Sequence, residues 1–121
     1  MEQIERARQI VPIAAVQNEY NLLERKHDAV VDYCAANTIA FFPWFPLSRG
    51  RYAEAEVTLD QIGARLGATR QQLALAWLLR RSPAILPIPG TTSVEHLEAN
   101  LAAANIALGD DDYAALNALT K

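Results

Sequence analysis

The sequence predicts an α/β fold, a parallel sheet with helices packed outside it. Three observations carry this expectation. The runs at residues 10–16, 38–44 and 84–88 are short, apolar and rich in β-formers, without the alternation of a half-solvated strand, which suits strands buried on both faces. Each run is followed by polar turn residues and then by helical spacing, the βα order of a parallel sheet. The helical segments carry their own start and stop residues.

In chain order, a first helix covers about residues 2–9, the first strand 10–16, a second helix 27–36 and the second strand 38–44. Thr58 with Gln61, Thr69 with Gln72, and Thr92 with Glu95 match the capping-box spacing, in which a threonine and a glutamine or glutamate three residues on satisfy each other's backbone N–H groups. Between Thr69 and Arg81 the apolar residues Leu73, Ala76, Trp77 and Leu78 recur at helical spacing, so Trp77 reads as a core residue. Gly67 and Gly109 stand where helices should stop, and Asp110 caps a last helix ending near Leu119. No linker or low-complexity stretch divides residues 1–121, which therefore read as one unit.

With 121 residues, 51% hydrophobic and 21% charged, the chain has the composition of an ordinary globular domain. A net charge of −3 with interspersed signs offers no basic patch, which argues against nucleic acid and anionic membrane as partners and leaves small molecules or protein. Cys34 is the only cysteine, which excludes an intramolecular disulfide and reads as a buried apolar thiol. The N-terminus is charged from its second residue, and the longest apolar run, residues 39–47, is far short of the ~20 residues that span a bilayer. A cytoplasmic location is the expectation.

The segment with most chemical content is 84–100, which passes from a strand through Gly90-Thr91-Thr92-Ser93 into a helix. Helix N-termini expose unpaired N–H groups at the positive end of the dipole, so an anion such as a phosphate can sit there, with threonine and serine hydroxyls nearby and His96 one turn on. A plain strand-to-helix turn is the simpler alternative. A second constellation is Phe41-Phe-Pro-Trp-Phe-Pro-Leu-Ser-Arg-Gly50: Phe41 and Phe42 read as core, whereas Trp44, beside the turn, reads as a ring able to stack on a heteroaromatic ligand. In a third, Gln17-Asn-Glu-Tyr-Asn21, one amide can clamp an amide-bearing ring, while Asn18 and Asn21 read as turn formers. Glu24 and His27 have an E-x-x-H spacing without companion ligands, so no metal site is expected.

Three parallel strands alone leave two open edges, and a (β/α)₈ barrel takes about 250 residues to close. The chain thus reads as part of such a barrel, its edges covered by a preceding half or by another copy.

Four blocks now bear on family: Val16-Gln-Asn-Glu-Tyr-Asn-Leu-Leu-Glu-Arg25, Phe41-Phe-Pro-Trp-Phe-Pro-Leu47, Gln72-Leu-Ala-Leu-Ala-Trp-Leu-Leu79, and Leu86-Pro-Ile-Pro-Gly-Thr91 running on to Asn100. In this order they resemble the C-terminal half of the aldo/keto reductase family. The resemblance implies a partial TIM barrel whose three strands are the sixth to eighth, NADPH as cofactor, and carbonyl reduction as the activity. It places Gln17 on the nicotinamide carboxamide, Trp44 against the nicotinamide ring, and Leu47, Ser48 and Gly50 under the pyrophosphate. Gly90, Thr91, Thr92 and His96 match the adenosine 2′-phosphate pocket, and Asn100 the residue facing the adenine. Ala99 departs from a glutamate that many members carry. The family's aspartate, tyrosine, lysine and histidine of catalysis match no residue here, so no catalytic role falls to Tyr20, Lys26 or Tyr52. A small carbonyl substrate is expected only with an N-terminal half. The alternative is a non-catalytic nucleotide-binding or self-assembling half-barrel.

Overall fold

A computed structural model describes residues 1–53 and 55–120 of the chain. Helix α1 (Glu2–Arg8) leads into strand β1 (Ala15–Glu19), α2 (Asp28–Ala36) and β2 (Ala40–Trp44), and four further helices follow: α3 (Glu56–Leu66), α4 (Arg70–Arg81), α5 (Val94–Ala102) and α6 (Asp110–Asn117). None of the described helices is long and apolar enough to cross a membrane.

The strands β1 and β2 pair in parallel, with Val16 opposite Phe41 and Gln17 opposite Phe42. The first strand thus starts later than expected. Residues 10 and 11 instead close α1, their N–H groups donating to Ala7 O at 2.9 and 3.0 Å, and Pro12 has no N–H to give a ladder. The expected third strand at 84–88 is reduced to one parallel bridge on the far side of β2, where Phe41 N–H donates to Ala84 O (2.8 Å) and Leu86 N–H to Phe41 O (2.9 Å). The next rung would need an N–H from Pro43, which proline lacks, and Pro87 and Pro89 thin the donors of the other segment.

Register divides the sheet into two faces, because cross-strand partners of a parallel pair point the same way. Val16, Phe41, Pro43 and Ile85 face the helices. There the core gathers around Trp77, Tyr20, Leu22, Leu59, Leu73 and Leu78, all fully buried. Tyr20 stacks on Trp77 at 5.9 Å and meets Phe41 edge-on at 5.7 Å. The opposite face carries Gln17, Phe42, Trp44, Leu86 and Ile88 and has no layer over it. Trp44, Leu86 and Ile88 are 44%, 55% and 44% exposed. The strands are therefore not buried on both faces, as their apolar runs suggested: the run records apolar contact on one side and uncovered apolar surface on the other.

Helix α4 is the central helix, with Leu73 to Leu78 buried and neighbours α3 and α5 on its flanks. Its capping box is complete: Thr69 Oγ1 accepts from Gln72 N–H at 3.2 Å, and Gln72 Oε1 accepts from Thr69 N–H at 3.0 Å. The other two boxes are not formed. Thr58 lies inside α3, which starts after Ala55 without a side-chain cap, and α5 is capped one residue later than expected by Ser93, which accepts from His96 N–H. Gly67 ends α3 in the left-handed conformation, φ 64°, as expected. Gly109 instead precedes α6 as its N-cap, because α5 runs on into a 3₁₀ turn at Ala103–Asn105 that ends the helix without a glycine. Between helices, Arg65 grips Asp112 through two bonds of 2.6 and 3.1 Å, and Arg81 reaches Asp32 at 2.8 Å.

Candidate functional site

The segments that follow β2 and the bridge at residue 85 meet the starts of α4 and α5, and between them lies a cleft of about 380 Å³. It is lined by Leu47, Gly90, Thr91, His96 and Asn100 of the sequence-read site, together with Thr69, Gln71, Gln72, Glu95 and Ala99. Of the last five, Ala99 is the position at which the resemblance marks a departure from an adenine-contacting glutamate, and the other four carry no ligand-facing signal in the sequence. The capping boxes named Thr69, Gln72 and Glu95 only as helix starts. The available signal was that α4, like α5, begins at the end of the sheet where the strands finish.

Gln72 builds the floor of this cleft. Its Oε1 completes the α4 cap while its Nε2 donates to Ala99 O at 3.0 Å, so one side chain ties the start of α4 to the second half of α5. At the α5 start, Thr91 Oγ1 accepts from Ser93 N–H at 3.1 Å and Ser93 Oγ accepts from His96 N–H at 3.3 Å. Gly90 has open space where a Cβ would stand, leaving its backbone accessible. Thr92 is exposed and does not line the cleft.

After β2 the chain turns through a run of left-handed residues. Phe45, Ser48, Arg49 and Gly50 have φ of 63°, 49°, 52° and 72°. Three of these are not glycine, a conformation that costs on the order of 1–3 kcal/mol each and persists where surrounding structure imposes it. Here Gly50 N–H donates to Leu47 O at 2.8 Å and Arg51 N–H to Ser48 O at 3.0 Å, while the Arg49 guanidinium covers the Phe45 ring at 5.1 Å. Ser48 is buried within the turn. A Cβ on Gly50 would lie 3.8 Å from Gln71 Nε2, so the turn abuts the start of α4 and hence the edge of the cleft.

Gln17 and Trp44 sit apart from the cleft on the uncovered sheet face, two register positions from one another. Trp44 touches only Phe45 among aromatic neighbours, ring to ring at 5.8 Å and tilted by 63°. Asn21 shapes the turn, as read: its Oδ1 accepts from Leu23 N–H (2.9 Å) and Glu24 N–H (3.0 Å). Its Nδ2 donates to Phe45 O (3.1 Å), tying the turns after β1 and β2 together.

The tyrosines are structural. Tyr20 is buried and donates to the Asp28 carboxylate, and burial first, then that bond, raise its phenol well above the usual range. Burial raises the Asp28 carboxyl, but the Tyr20 hydrogen bond with Arg25 and Arg81 outweighs it and holds the group below the usual range. Burial pushes Tyr52 up to about 12. Both phenols are buried in the core and stay protonated at neutral pH. Cys34 is buried, and burial pushes its thiol up, as expected of an inert cysteine. Trp77 donates through Nε1 to Asn117 Oδ1 at 3.0 Å, with the Arg25 guanidinium over its ring at 5.0 Å.

The sequence model of the aldo/keto reductase family matches residues 1–121. Pyridoxine 4-dehydrogenase of Escherichia coli is 46% identical over 98% of this chain and 41% of its own length. An uncharacterized oxidoreductase of Schizosaccharomyces pombe is 44% identical over 97% of this chain and 38% of its own. A thermostable aldo-keto reductase crystallised with epalrestat superposes with a TM-score of 0.91 at 31% identity, covering 98% of this chain and 44% of that one. An aldo/keto reductase from Klebsiella pneumoniae in complex with NADP and acetate gives 0.80 at 30% identity, covering 88% and 39%. The chain spans about two fifths of the length of the curated relatives it matches.

Proposed function

Because the chain belongs to the aldo/keto reductase family, we propose that it is the cofactor-binding part of an NADPH-dependent carbonyl reductase. In this reading its strands are the sixth to eighth of a TIM barrel. The observation that carries it is spatial order. An amide and an indole share the open sheet face, a strained turn follows β2, and a cleft with a helix start lies beyond it. That sequence of surfaces suits an extended dinucleotide: an aromatic ring, then phosphates, then an adenosine.

Gln17 then holds the nicotinamide carboxamide and Trp44 stacks on its ring. Leu47, Ser48 and Gly50 underlie the pyrophosphate. Gly90, Thr91, Thr92 and His96 take the 2′-phosphate end, and Asn100 faces the adenine. The nicotinamide, when bound, supplies hydride to a small carbonyl substrate. The proton comes from a donor other than Tyr20 or Tyr52, both of which are buried. The four groups of catalysis belong in this reading to a preceding half-barrel.

Titration of the 121-residue chain with NADPH tests this. NADPH is expected to quench tryptophan fluorescence with an affinity on the order of 0.1–1 mM, since only part of the pocket is present, and Trp44→Phe should abolish the quench while Trp77 emission persists. Absence of any NADPH effect overturns the reading. Saturation at micromolar NADPH contradicts the division of the pocket between two halves. A second reading, a non-catalytic half-barrel that pairs with its own copy, draws on the uncovered apolar face formed by Trp44, Leu86 and Ile88.

A further inference from the structure

The two carbonyls on either side of the Phe45 Cα are both held from the end of β1. Tyr20 N–H donates to Trp44 O at 3.3 Å, and the buried Asn21 amide donates through Nδ2 to Phe45 O at 3.1 Å, an oxygen that also accepts from Ser48 N–H at 3.2 Å. Two adjacent peptide planes held in this way set the φ and ψ of the residue between them. That residue has φ 63°. Left-handed backbone is uncommon for a phenylalanine, and Pro46 restricts the residue before it further.

The bend decides where the Phe45 ring goes. Successive residues of an extended strand point to opposite faces, so an extended Phe45 would send its ring away from Trp44. Instead the two rings meet at 5.8 Å and 63°, with the Arg49 guanidinium over the Phe45 ring at 5.1 Å. The exposed Trp44 indole thus rests against a side chain whose place depends on Asn21. The other bonds of that amide, accepted from Leu23 and Glu24 N–H, serve the turn after β1 alone.

We propose that Asn21 is a positioning residue for the cofactor: by holding Phe45 in the left-handed conformation it sets the Phe45 ring against Trp44, and so fixes the indole plane on which a nicotinamide stacks. This rests on the reading of the open sheet face as the nicotinamide end of the site. Asn21 itself touches no cofactor and acts through the Phe45 backbone.

Asn21→Asp isolates the bond in question, because a carboxylate still accepts from Leu23 and Glu24 N–H but puts an oxygen where Nδ2 donates. The chain holds two tryptophans, so isotope labelling of the indole nitrogens gives one NMR resonance from the open face and one from the core. In Asn21→Asp the Trp44 resonance should shift and broaden, the Trp77 resonance should stay, and NADPH affinity should fall about three- to tenfold, the worth of one hydrogen bond. Phe45→Ala should lose as much affinity, and Asn21→Asp added to it should cost less than about twofold more, because both act through the same ring. A folded Asn21→Asp that keeps either the wild-type Trp44 resonance or the wild-type NADPH affinity overturns the inference and leaves the cofactor reading standing. Should Asn21→Asp unfold the chain, seen as loss of the Trp77 resonance, Phe45→Ala decides, and wild-type NADPH affinity in that variant overturns the inference. Absence of any NADPH effect on the wild-type chain overturns the two together.

Discussion

The two faces of one small sheet differ more than any two helices of this molecule. On the helix side, Phe41 and Ile85 meet Tyr20 and Trp77 in a closed core, with the Tyr20 hydroxyl and the Trp77 indole N–H bonded to Asp28 and Asn117. On the other side, alternate residues of the same strands, Gln17, Phe42 and Trp44, stand with Leu86 and Ile88 under no covering layer. The contrast shows that closed packing and open surface are divided by the two-residue period of the strand, so that neighbouring residues meet different surroundings.

The sharpest break of this contrast compares its two tryptophans. Trp77→Ala removes a fully buried ring, its bond to Asn117 and the surface under Arg25, and should cost about 3–5 kcal/mol, enough to leave the chain largely unfolded in a urea melt. Trp44→Ala, on the open face, should stay within about 1 kcal/mol of wild type. Equal losses from the two changes would show that the open face is covered in solution.

Acid tests the closed side. The Asp112 carboxyl is held low by the Arg65 hydrogen bonds, and Asp28 is held low by Tyr20, Arg25 and Arg81 despite its burial. A depressed carboxyl contributes stability that is present above its unfolded value of about 4 and is lost as pH falls through the folded value. Melting temperature should therefore change little from pH 7 to 5 on account of these groups and fall below about pH 4. Asp112→Asn should flatten part of that fall.

The smallest expected change in folding stability comes with a change of assembly. If a second copy covers the open face, sedimentation velocity of the chain should show concentration-dependent association, and Leu86→Glu should return it to a monomer with its melting temperature nearly unchanged. A stable monomer at all concentrations counts against pairing through this face.

Much of the helical layer could be read in advance because its signals are local. The Thr69–Gln72 box needs only residues three apart, and Trp77 at helical spacing with Leu73 needs only the neighbouring turn. Thr92 and Ser93 shared the same chemistry, and only the backbone conformation at Ser93 decides which of them caps α5. The third strand failed for a reason that no single run displays: Pro43 lies in β2, and its missing N–H ends pairing with residues 84–88. The uncovered face was equally illegible, since an apolar run states that its residues avoid water and not which partner meets them. At the site, Leu47, Gly90, Thr91, His96 and Asn100 came together in one cleft, but Glu95, Gln71 and Gln72 joined them through the placement of α4 beside α5, a tertiary fact.

The buried Asn21 amide holds its own turn after β1 with two accepted hydrogen bonds and joins it to the turn after β2 with a third, donated to Phe45 O. The β1–β2 ladder and those turns hold Gln17 and Trp44 in mutual position, so under the proposed cofactor reading the pair is set before a ligand arrives. Association then costs little in frozen loop motion, and more of the contact energy remains as affinity. The same tie makes the pair a unit in time: a fluctuation that frees one turn must break a bond to the other, and the two would open together.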